Sequence, residues 1–546
     1  MASESRNQVI EAAEALMTDG RVAAVRVSKE SLDPNTREFN SIAIFSKGKV
    51  EGAKKRKVVE DREPLCVSPE DLYSLHARDR IGRLLDGWLA RNHATAFELL
   101  HRKDLAEKLD AAGNDLQHAV QKIAVPEAQA RGVSVHELIR SFQRLIDRSI
   151  ARIVADARRD RFANFAKEPF AAAAERLVGE TEAAYLLGGG VAAYLAPGAT
   201  WSAKVMRLLD LADAAPAVGP ARELAFEVLE QPLSEILESR AGLVELLGGH
   251  LDLGGQLAGM TRLVAGAAIA KFVADPRVAR ALPPLEGAAA RLAEWMLSPP
   301  FANVRAAVGR RILHELLGPR RLRPTNPGDE IELLRALGMA LTAAAGQLLP
   351  AESVQEAFIA RSRMLVTSEF VEGLLGRDGS ARDEAEQLIW LSENVVGAVN
   401  KRQAARYLAS HAGSLRFETE LRYGPDTASH RLASLAAMQR SSARAGLDPA
   451  DLAPIMAKFG EVGGLVEADA KLIASIAHAT ASALHRLGLL LRLATGEAAP
   501  LGPAADRARA AALKLLRTDG ARAELAAAPE QLAHVRDMVQ AAGLAA

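Results

Sequence analysis

Signals for the start of a helix recur along this chain of 546 residues. Residues 68–71 read Ser-Pro-Glu-Asp, which places a capping hydroxyl before a proline at the first helical position. The same order of cap and proline occurs at Asp275, Ser298, Asn326 and Asp448. Apolar residues follow each of these positions at intervals of three and four, the spacing of one helix face. The pattern predicts amphipathic helices that follow one another along the chain.

The composition favours helix over strand. Hydrophobic residues make up 49% of the chain but aromatic residues only 4%, and alanine and leucine are abundant. The 68 basic residues equal the 68 acidic residues, so the formal net charge is zero. This balance argues against a generally basic nucleic-acid-binding protein and against an acidic, solvating one. We therefore expect a mostly α protein built as an irregular helical array.

Clusters of glycine and proline predict where the helices break. These clusters lie at 188–190, 216–220, 248–255, 283–284, 318–328, 376–380, 423–427 and 493–505. Their spacing fits stacked helical hairpins or bundles, and no fixed repeat is present, so a HEAT-like solenoid and ordinary bundles are both compatible with the pattern. We expect a helical domain over 65–178, a hairpin array over 179–350 and a C-terminal helical domain over 351–546.

The first part of the chain departs from this composition. Between 21 and 60, valine, isoleucine and phenylalanine occur at the spacing of β-strands, and 47–49 reads as a turn between 41–46 and the segment that follows. A helix is expected over 8–17. We predict a small α/β module over 1–64 with a β-hairpin and a basic segment.

The strongest candidate for metal binding is the pair Glu98 and His101, whose spacing places a carboxylate and an imidazole on one helix face. Asp115 and His118 repeat the spacing, but the further carboxylates of a di-iron site cannot be assigned. Cys66 is the single cysteine, so cysteine-based metal sites and intrachain disulfides are excluded. We expect no metal ion, no cofactor and no catalytic residue that can be named.

Two groups of carboxylates are candidates for other chemistry. Asp156 and Asp160 stand one helical turn apart among arginines, which favours an exposed, salt-bridged helix face over a magnesium site. The acidic residues from Glu227 to Glu238 are divided by Pro232, which indicates two helix ends that meet at a solvated turn. The glycines at 188–190 are expected to break a helix and not to bind phosphate.

Two basic clusters remain. Lys54, Lys55, Arg56 and Lys57 end the β-like segment, and arginines cluster at 320–323 in a proline-rich loop. Clustered cations attract phosphates and acidic partners, but neither cluster has stacking aromatic residues nearby. A solvated edge is the simpler interpretation of the cluster at 54–57. We retain residues 54–57 as the candidate site for an anionic partner.

The sequence therefore favours a bacterial cytoplasmic protein that works through protein contacts, as a scaffold, adaptor or regulatory subunit without catalysis. The longest uncharged run, 183–203, is diluted by glycine and alanine and broken by proline, so we expect no membrane span. Two alternatives stay open: an enzyme whose dispersed active site lies in a helical-bundle cavity, and a nucleic-acid-associated protein that uses the basic N-terminal module.

Overall fold

A computed structural model describes residues 6–18, 22, 25–32, 39–47, 65–297, 299–346, 348–527 and 529–544. The chain divides into two compact units, Met1–Cys66 and Val67–Ala546. The described residues are mostly helical, as the composition and periodicity predict.

The described part of the first unit contains a helix, α1 (Arg6–Thr18), and two strands, β1 (Val25–Leu32) and β2 (Phe39–Lys47). The strands pair antiparallel, with an irregularity between Val27 and Ser28. The strand at 41–46 therefore pairs with the segment before it, whereas the sequence pattern suggested a hairpin with the segment after it. Residues 48–64, which include the predicted turn and the basic segment, lie outside the described residues. The α/β module over 1–64 stays a prediction.

The second unit is a succession of helices. They are α2 (Leu75–Leu84), α3 (Asp86–Arg91), α4 (Ala96–His101), α5 (Lys103–Ala111), α6 (Asn114–Arg131), α7 (Val135–Arg158), α8 (Phe170–Leu177), α9 (Ala183–Leu195), α10 (Trp201–Asp213), α11 (Pro220–Glu238), α12 (Arg240–Leu247), α13 (Leu253–Ile269), α14 (Pro276–Ala281), α15 (Gly287–Met296), α16 (Ala302–Leu317), α17 (Pro327–Ala343), α18 (Ala351–Leu365), α19 (Ser368–Leu375), α20 (Ala381–Asn394), α21 (Ala398–Ala412), α22 (Leu415–Tyr423), α23 (Ala428–Arg444), α24 (Pro449–Ala470), α25 (Leu472–His478), α26 (Ala483–Ala494), α27 (Pro503–Leu516), α28 (Asp519–Ala527) and α29 (Pro529–Ala541). Short 3₁₀ helices occupy Pro69–Tyr73 and Pro299–Phe301.

Three of the predicted caps begin α-helices. The side chains of Asp275, Asn326 and Asp448 accept hydrogen bonds from backbone N–H groups in the first turns of α14, α17 and α24. Each accepts a bond that no carbonyl inside the helix can provide, so these helix starts are determined by local chemistry. The signal at 68–71 instead opens the 3₁₀ helix Pro69–Tyr73, where the Asp71 carboxylate accepts from the N–H of Ser68.

The predicted breaks fall between helices at every cluster except 188–190. Those three glycines lie inside α9, which continues from Ala183 to Leu195. The predicted break at Pro232 is also wrong, because α11 is one helix that contains this proline. In both places the surrounding tertiary contacts outweigh the weak helix propensity of glycine or proline.

The helices of the second unit contact helices close to them in the sequence. For example, α21 contacts α18, α20, α22 and α24, and α11 contacts α8, α9, α10, α12 and α16 but also the more distant α4. One cluster of buried apolar side chains extends from Phe97 to Ala542, and a smaller cluster lies between Leu85 and Ala119. Contacts between α8 and α9 and between α16 and α18 cross the boundaries predicted at 178 and 350. The division into domains over 65–178, 179–350 and 351–546 stays a prediction.

None of the described helices is both long enough and apolar enough to cross a membrane. The uncharged run at 183–203 is divided between α9 and the start of α10.

Candidate functional site

Glu98 and His101 lie on the short helix α4, and both side chains are buried. The Glu98 carboxylate accepts hydrogen bonds from Lys204 Nζ, at 2.6 Å from each oxygen, and from Arg102 Nη1 at 2.8 Å. It also caps its own helix by accepting from the Thr95 N–H. Two cations therefore balance the charge of the carboxylate, and both of its oxygens accept hydrogen bonds from protein groups. Within the described ranges, no group of three or more potential ligands could hold a metal ion.

Asp115 and two histidines that stand seven residues apart, His478 and His485, lie on three different helices, α6, α25 and α26. Asp115 forms an ion pair with Arg91 at 2.9 Å on the surface. The two histidines are exposed, and His478 donates from Nδ1 to the carbonyl oxygen of Ala474. These residues form no common site.

The two aspartates near the end of α7 differ in environment, which corrects the expectation that both are exposed. Asp156 is buried and accepts hydrogen bonds from the Tyr185 hydroxyl at 3.0 Å and from Arg161 Nη1 at 2.9 Å. Asp160 lies past the end of the helix with a φ of 54° and forms an exposed ion pair with Lys167. They do not converge on a shared ligand position.

The acidic residues of α11 are likewise not a solvated turn. The Glu235 carboxylate accepts from the backbone N–H of Phe97 at 2.7 Å and from Arg78 Nε at 3.0 Å, so it caps the start of α4. Glu230 accepts from the backbone N–H of Asn303 at 3.1 Å and caps the start of α16. Burial raises the pKa of Glu235 to about 7, while Arg78 and the hydrogen bond from Phe97 act in the opposite direction.

The structure describes only one of the two basic clusters. Lys54, Lys55, Arg56 and Lys57 lie outside the described residues, so their role as an anion site stays a prediction. The arginines at 320–323 are each paired with an acid of the same unit: Arg320 with Glu315, Arg321 with Glu330, and Arg323 with Asp252. The charges of this second cluster are therefore balanced by acidic residues of the same unit.

The structure brings together a cleft that the sequence did not indicate. Its walls are residues 101–104 at the junction of α4 and α5, residues 160–166 after α7, the outer face of α9 from 189 to 196, and Arg207 of α10. Its volume is about 710 Å³. A cavity of this size lies in the range of small-molecule sites.

The three glycines of α9 allow the cleft walls to approach. A Cβ atom at Gly189 would lie 2.1 Å from Cδ1 of Phe162, and one at Gly190 would lie 2.6 Å from the carbonyl oxygen of Ala163. The backbone N–H of Ala163 also donates to the carbonyl oxygen of Leu186 at 3.1 Å. The glycines are therefore contact positions where only a hydrogen atom fits, which explains why they stay helical.

Replacing Gly190 with alanine is expected to lower the free energy of unfolding by about 1–3 kcal/mol, because the added methyl group meets a backbone oxygen that cannot rotate away. The matched control is Gly488→Ala in the middle of α26, where a Cβ meets no atom within 4 Å. That change should stabilise the protein by about 0.5–1 kcal/mol. Urea denaturation of the three proteins measures both effects. A stabilising Gly190→Ala change would contradict the close approach.

His101 is held as a neutral imidazole at one end of the cleft. Its Nδ1 donates to the carbonyl oxygen of Phe97 at 2.7 Å, and its ring packs among those of Phe97, Tyr73 and Tyr185. Burial lowers the pKa of His101 to about 4. Near neutral pH, its Nε2 is therefore a hydrogen-bond acceptor and carries no charge.

This histidine should make the protein less stable in acid. The unfolded chain binds more protons than the folded chain between pH 6.5 and about 4, so the free energy of unfolding falls as the pH is lowered through that window. The loss attributable to His101 is up to about 3 kcal/mol. Urea denaturation at several pH values should show a shallower dependence for His101→Leu than for the parent. The control is His118→Leu, which removes an exposed imidazole from α6. Equal slopes in the parent and His101→Leu would refute the prediction.

Arg207 lies at the other side of the cleft. Its Nε donates to the carbonyl oxygen of Tyr194 at 2.7 Å, and its guanidinium carbon lies 4.3 Å from the centre of the Tyr194 ring. In the part of the chain that the structure describes, no carboxylate lies within ion-pair distance of this guanidinium. Comparison with protein-family models, with curated proteins and with solved structures finds no match to the chain.

Proposed function

We propose that this protein is an adaptor, scaffold or regulatory subunit of a bacterial cytoplasmic system, and that it acts through protein contacts without catalysis of its own. In this proposal the helices form an irregular, HEAT-like array of hairpins, and residues 1–64 form a small α/β module. The continuous core of the second unit supports the proposal, because helices that pack mostly against helices near them in the sequence present long surfaces to partners.

The observation that carries the proposal is a set of exposed apolar side chains on two consecutive helices. Val399 at the start of α21 is 77% exposed, and on α22 Leu415 is 78% and Tyr423 66% exposed. Leu415 and Tyr423 are eight residues apart and share a face of α22, while Phe417 and Leu421 are buried on its other side. A partner that covers this face would remove apolar surface from water, which stabilises a complex.

The test is purification of the tagged full-length chain from its native host after chemical cross-linking. We expect a reproducible, stoichiometric protein partner that is lost in the double variant Leu415→Ser/Tyr423→Ser. The control is Leu297→Ser/Leu317→Ser, which removes two other exposed leucines of the second unit. Undiminished recovery of the partner by the α22 variant, or no stoichiometric partner for the parent, would count against the proposal.

The nucleic-acid alternative depends on Lys54, Lys55, Arg56 and Lys57. Clustered cations bind a polyanion with a strength that falls as salt is added. Retention of the parent on heparin at low salt, lost when these four residues are replaced by alanine, would favour this alternative.

A further inference from the structure

The cleft bounded by α4, α5, α9 and residues 160–166 has an apolar wall. Phe162 and Phe165 come from the segment after α7 and pack directly on Gly189 and Gly190 of α9, and Ala193 of the same helix also lines the cleft. The Phe165 ring packs edge-on against Phe170 and Tyr194, which holds its position. Such a wall suits the flat or branched apolar body of an organic ligand.

The charges around the cleft are matched except at one position. Arg102 is bonded to Glu98 and Asp104, and Lys103 lies 3.7 Å from Glu107. Asp160 is paired with Lys167. Arg207 alone among these lining cations has no carboxylate partner within the described residues. A ligand with one negative charge would therefore supply the missing ion-pair partner of Arg207.

The geometry of Arg207 favours a carboxylate. Its Nε is used by the carbonyl oxygen of Tyr194, and the Tyr194 ring supports its planar face. Within the described residues the two Nη groups donate no hydrogen bond, and a planar pair of N–H donors matches the two oxygens of a carboxylate. A phosphate dianion is a poorer fit, because Asp104 and Asp160 also line the cleft and His101 is neutral there.

We propose that this cleft binds an aromatic monocarboxylate, with its carboxylate on Arg207 and its ring against Phe162 and Phe165. No residue of α22 lines this cleft. A small molecule bound here would therefore occupy a site separate from the apolar face proposed for protein contacts. A volume of about 710 Å³ leaves room for an acid larger than a single phenyl ring.

The test uses two probes of the same shape, 3-phenylpropionate and its neutral amide, 3-phenylpropionamide. Binding to the full chain is measured by calorimetry and by ligand-observed NMR. We expect the carboxylate to bind about tenfold more tightly than the amide, because charge-assisted hydrogen bonds to a guanidinium exceed neutral ones. Arg207→Gln should abolish this preference. Arg222→Gln should preserve it, since Arg222 also lies over an aromatic ring, that of Phe226, and donates to a backbone carbonyl but does not line the cleft.

A second variant tests the location. Ala193 is an exposed residue of α9 on the cleft wall, so Ala193→Trp can fill the cleft without disturbing the core. We expect it to abolish binding of both probes while the thermal unfolding midpoint stays close to that of the parent. Saturable binding of neither probe to the parent at millimolar concentration, equal affinity for the two probes, or unchanged binding by Ala193→Trp would each overturn the proposal.

Discussion

Replacing Lys204 with methionine is expected to lower the free energy of unfolding by about 3–5 kcal/mol. The side chain of Lys204 is 2% exposed and that of Glu98 is 0% exposed, and the ammonium group bonds both carboxylate oxygens at 2.6 Å. Its removal leaves a buried carboxylate whose one remaining cationic partner among the described residues is Arg102. Urea denaturation at neutral pH measures the loss.

Two further variants separate the charge from the packing. Lys204→Met combined with Glu98→Gln removes both charges and keeps an amide oxygen that can still cap α4, so it should recover a large part of the lost stability. Lys103→Met removes the partner of Glu107 in an exposed pair and should change the free energy of unfolding by less than about 1 kcal/mol. Similar losses in Lys204→Met and Lys103→Met would show that burial of the pair has no energetic consequence.

Replacing Arg361 with methionine is the second change expected to be severe, with a loss of about 3–5 kcal/mol in the free energy of unfolding. Arg361 is 1% exposed, and its guanidinium donates to the backbone carbonyl oxygens of Glu315, Leu316 and Arg320 at the end of α16. Methionine fills similar space but donates nothing, so all three acceptors lose this donor, and within the described residues only the carbonyl oxygen of Glu315 among them keeps a backbone N–H, that of Gly318.

The matched control for Arg361 lies on the same helix. Arg363→Met makes the same substitution at an exposed position of α18 and should change the free energy of unfolding by less than about 0.5 kcal/mol. Arg361→Lys should recover only part of the loss, because one ammonium group cannot reproduce the planar fork that reaches three carbonyl groups. Urea denaturation of all four proteins gives the comparison, and equal stability of the two methionine variants would refute the assigned role.

Lys401, which is half-buried, also satisfies carbonyl groups at helix ends. Its ammonium group donates to the carbonyl oxygens of Ser392 and Glu393 at the end of α20 and of Ala445 after α23. Glu420 does the reverse and accepts from the N–H of Ala381 at the start of α20. Helix ends inside a helical protein leave backbone groups without partners, and charged side chains from other helices satisfy them. Charged side chains such as Lys401 and Glu420 therefore have structural roles in this protein.

The sequence predicted the class of fold because its signals are local. Caps such as Asn326 and Asp448, and apolar residues at intervals of three and four, act within one or two helical turns. The exceptions at 188–190 and at Pro232 are positions where distant contacts decide, since α9 needs glycine against Phe162 and Ala163.

The sequence identified Glu98 and His101 as unusual residues but not what they do. Glu98 is matched by Lys204, which lies more than one hundred residues later, and no spacing in the sequence relates the two. Arg207 and Tyr194 carried no signal, because an arginine on a helix is ordinary until its partners are known. The three glycines of α9 were the one available sign of close packing near the cleft.

The sequence by itself determined that this is a mostly helical chain, where several of its helices start and stop, and that its charges sum to zero. Only the tertiary structure decided which charges are buried and paired, that three glycines continue a helix, and that a cleft forms beside them. The physical reason is the distance along the sequence over which each interaction acts. Hydrogen bonding within a helix and the pattern of its apolar face depend on neighbours a few residues away. The pairing of a buried charge and the shape of a cavity depend on side chains that folding brings together from distant parts of the chain.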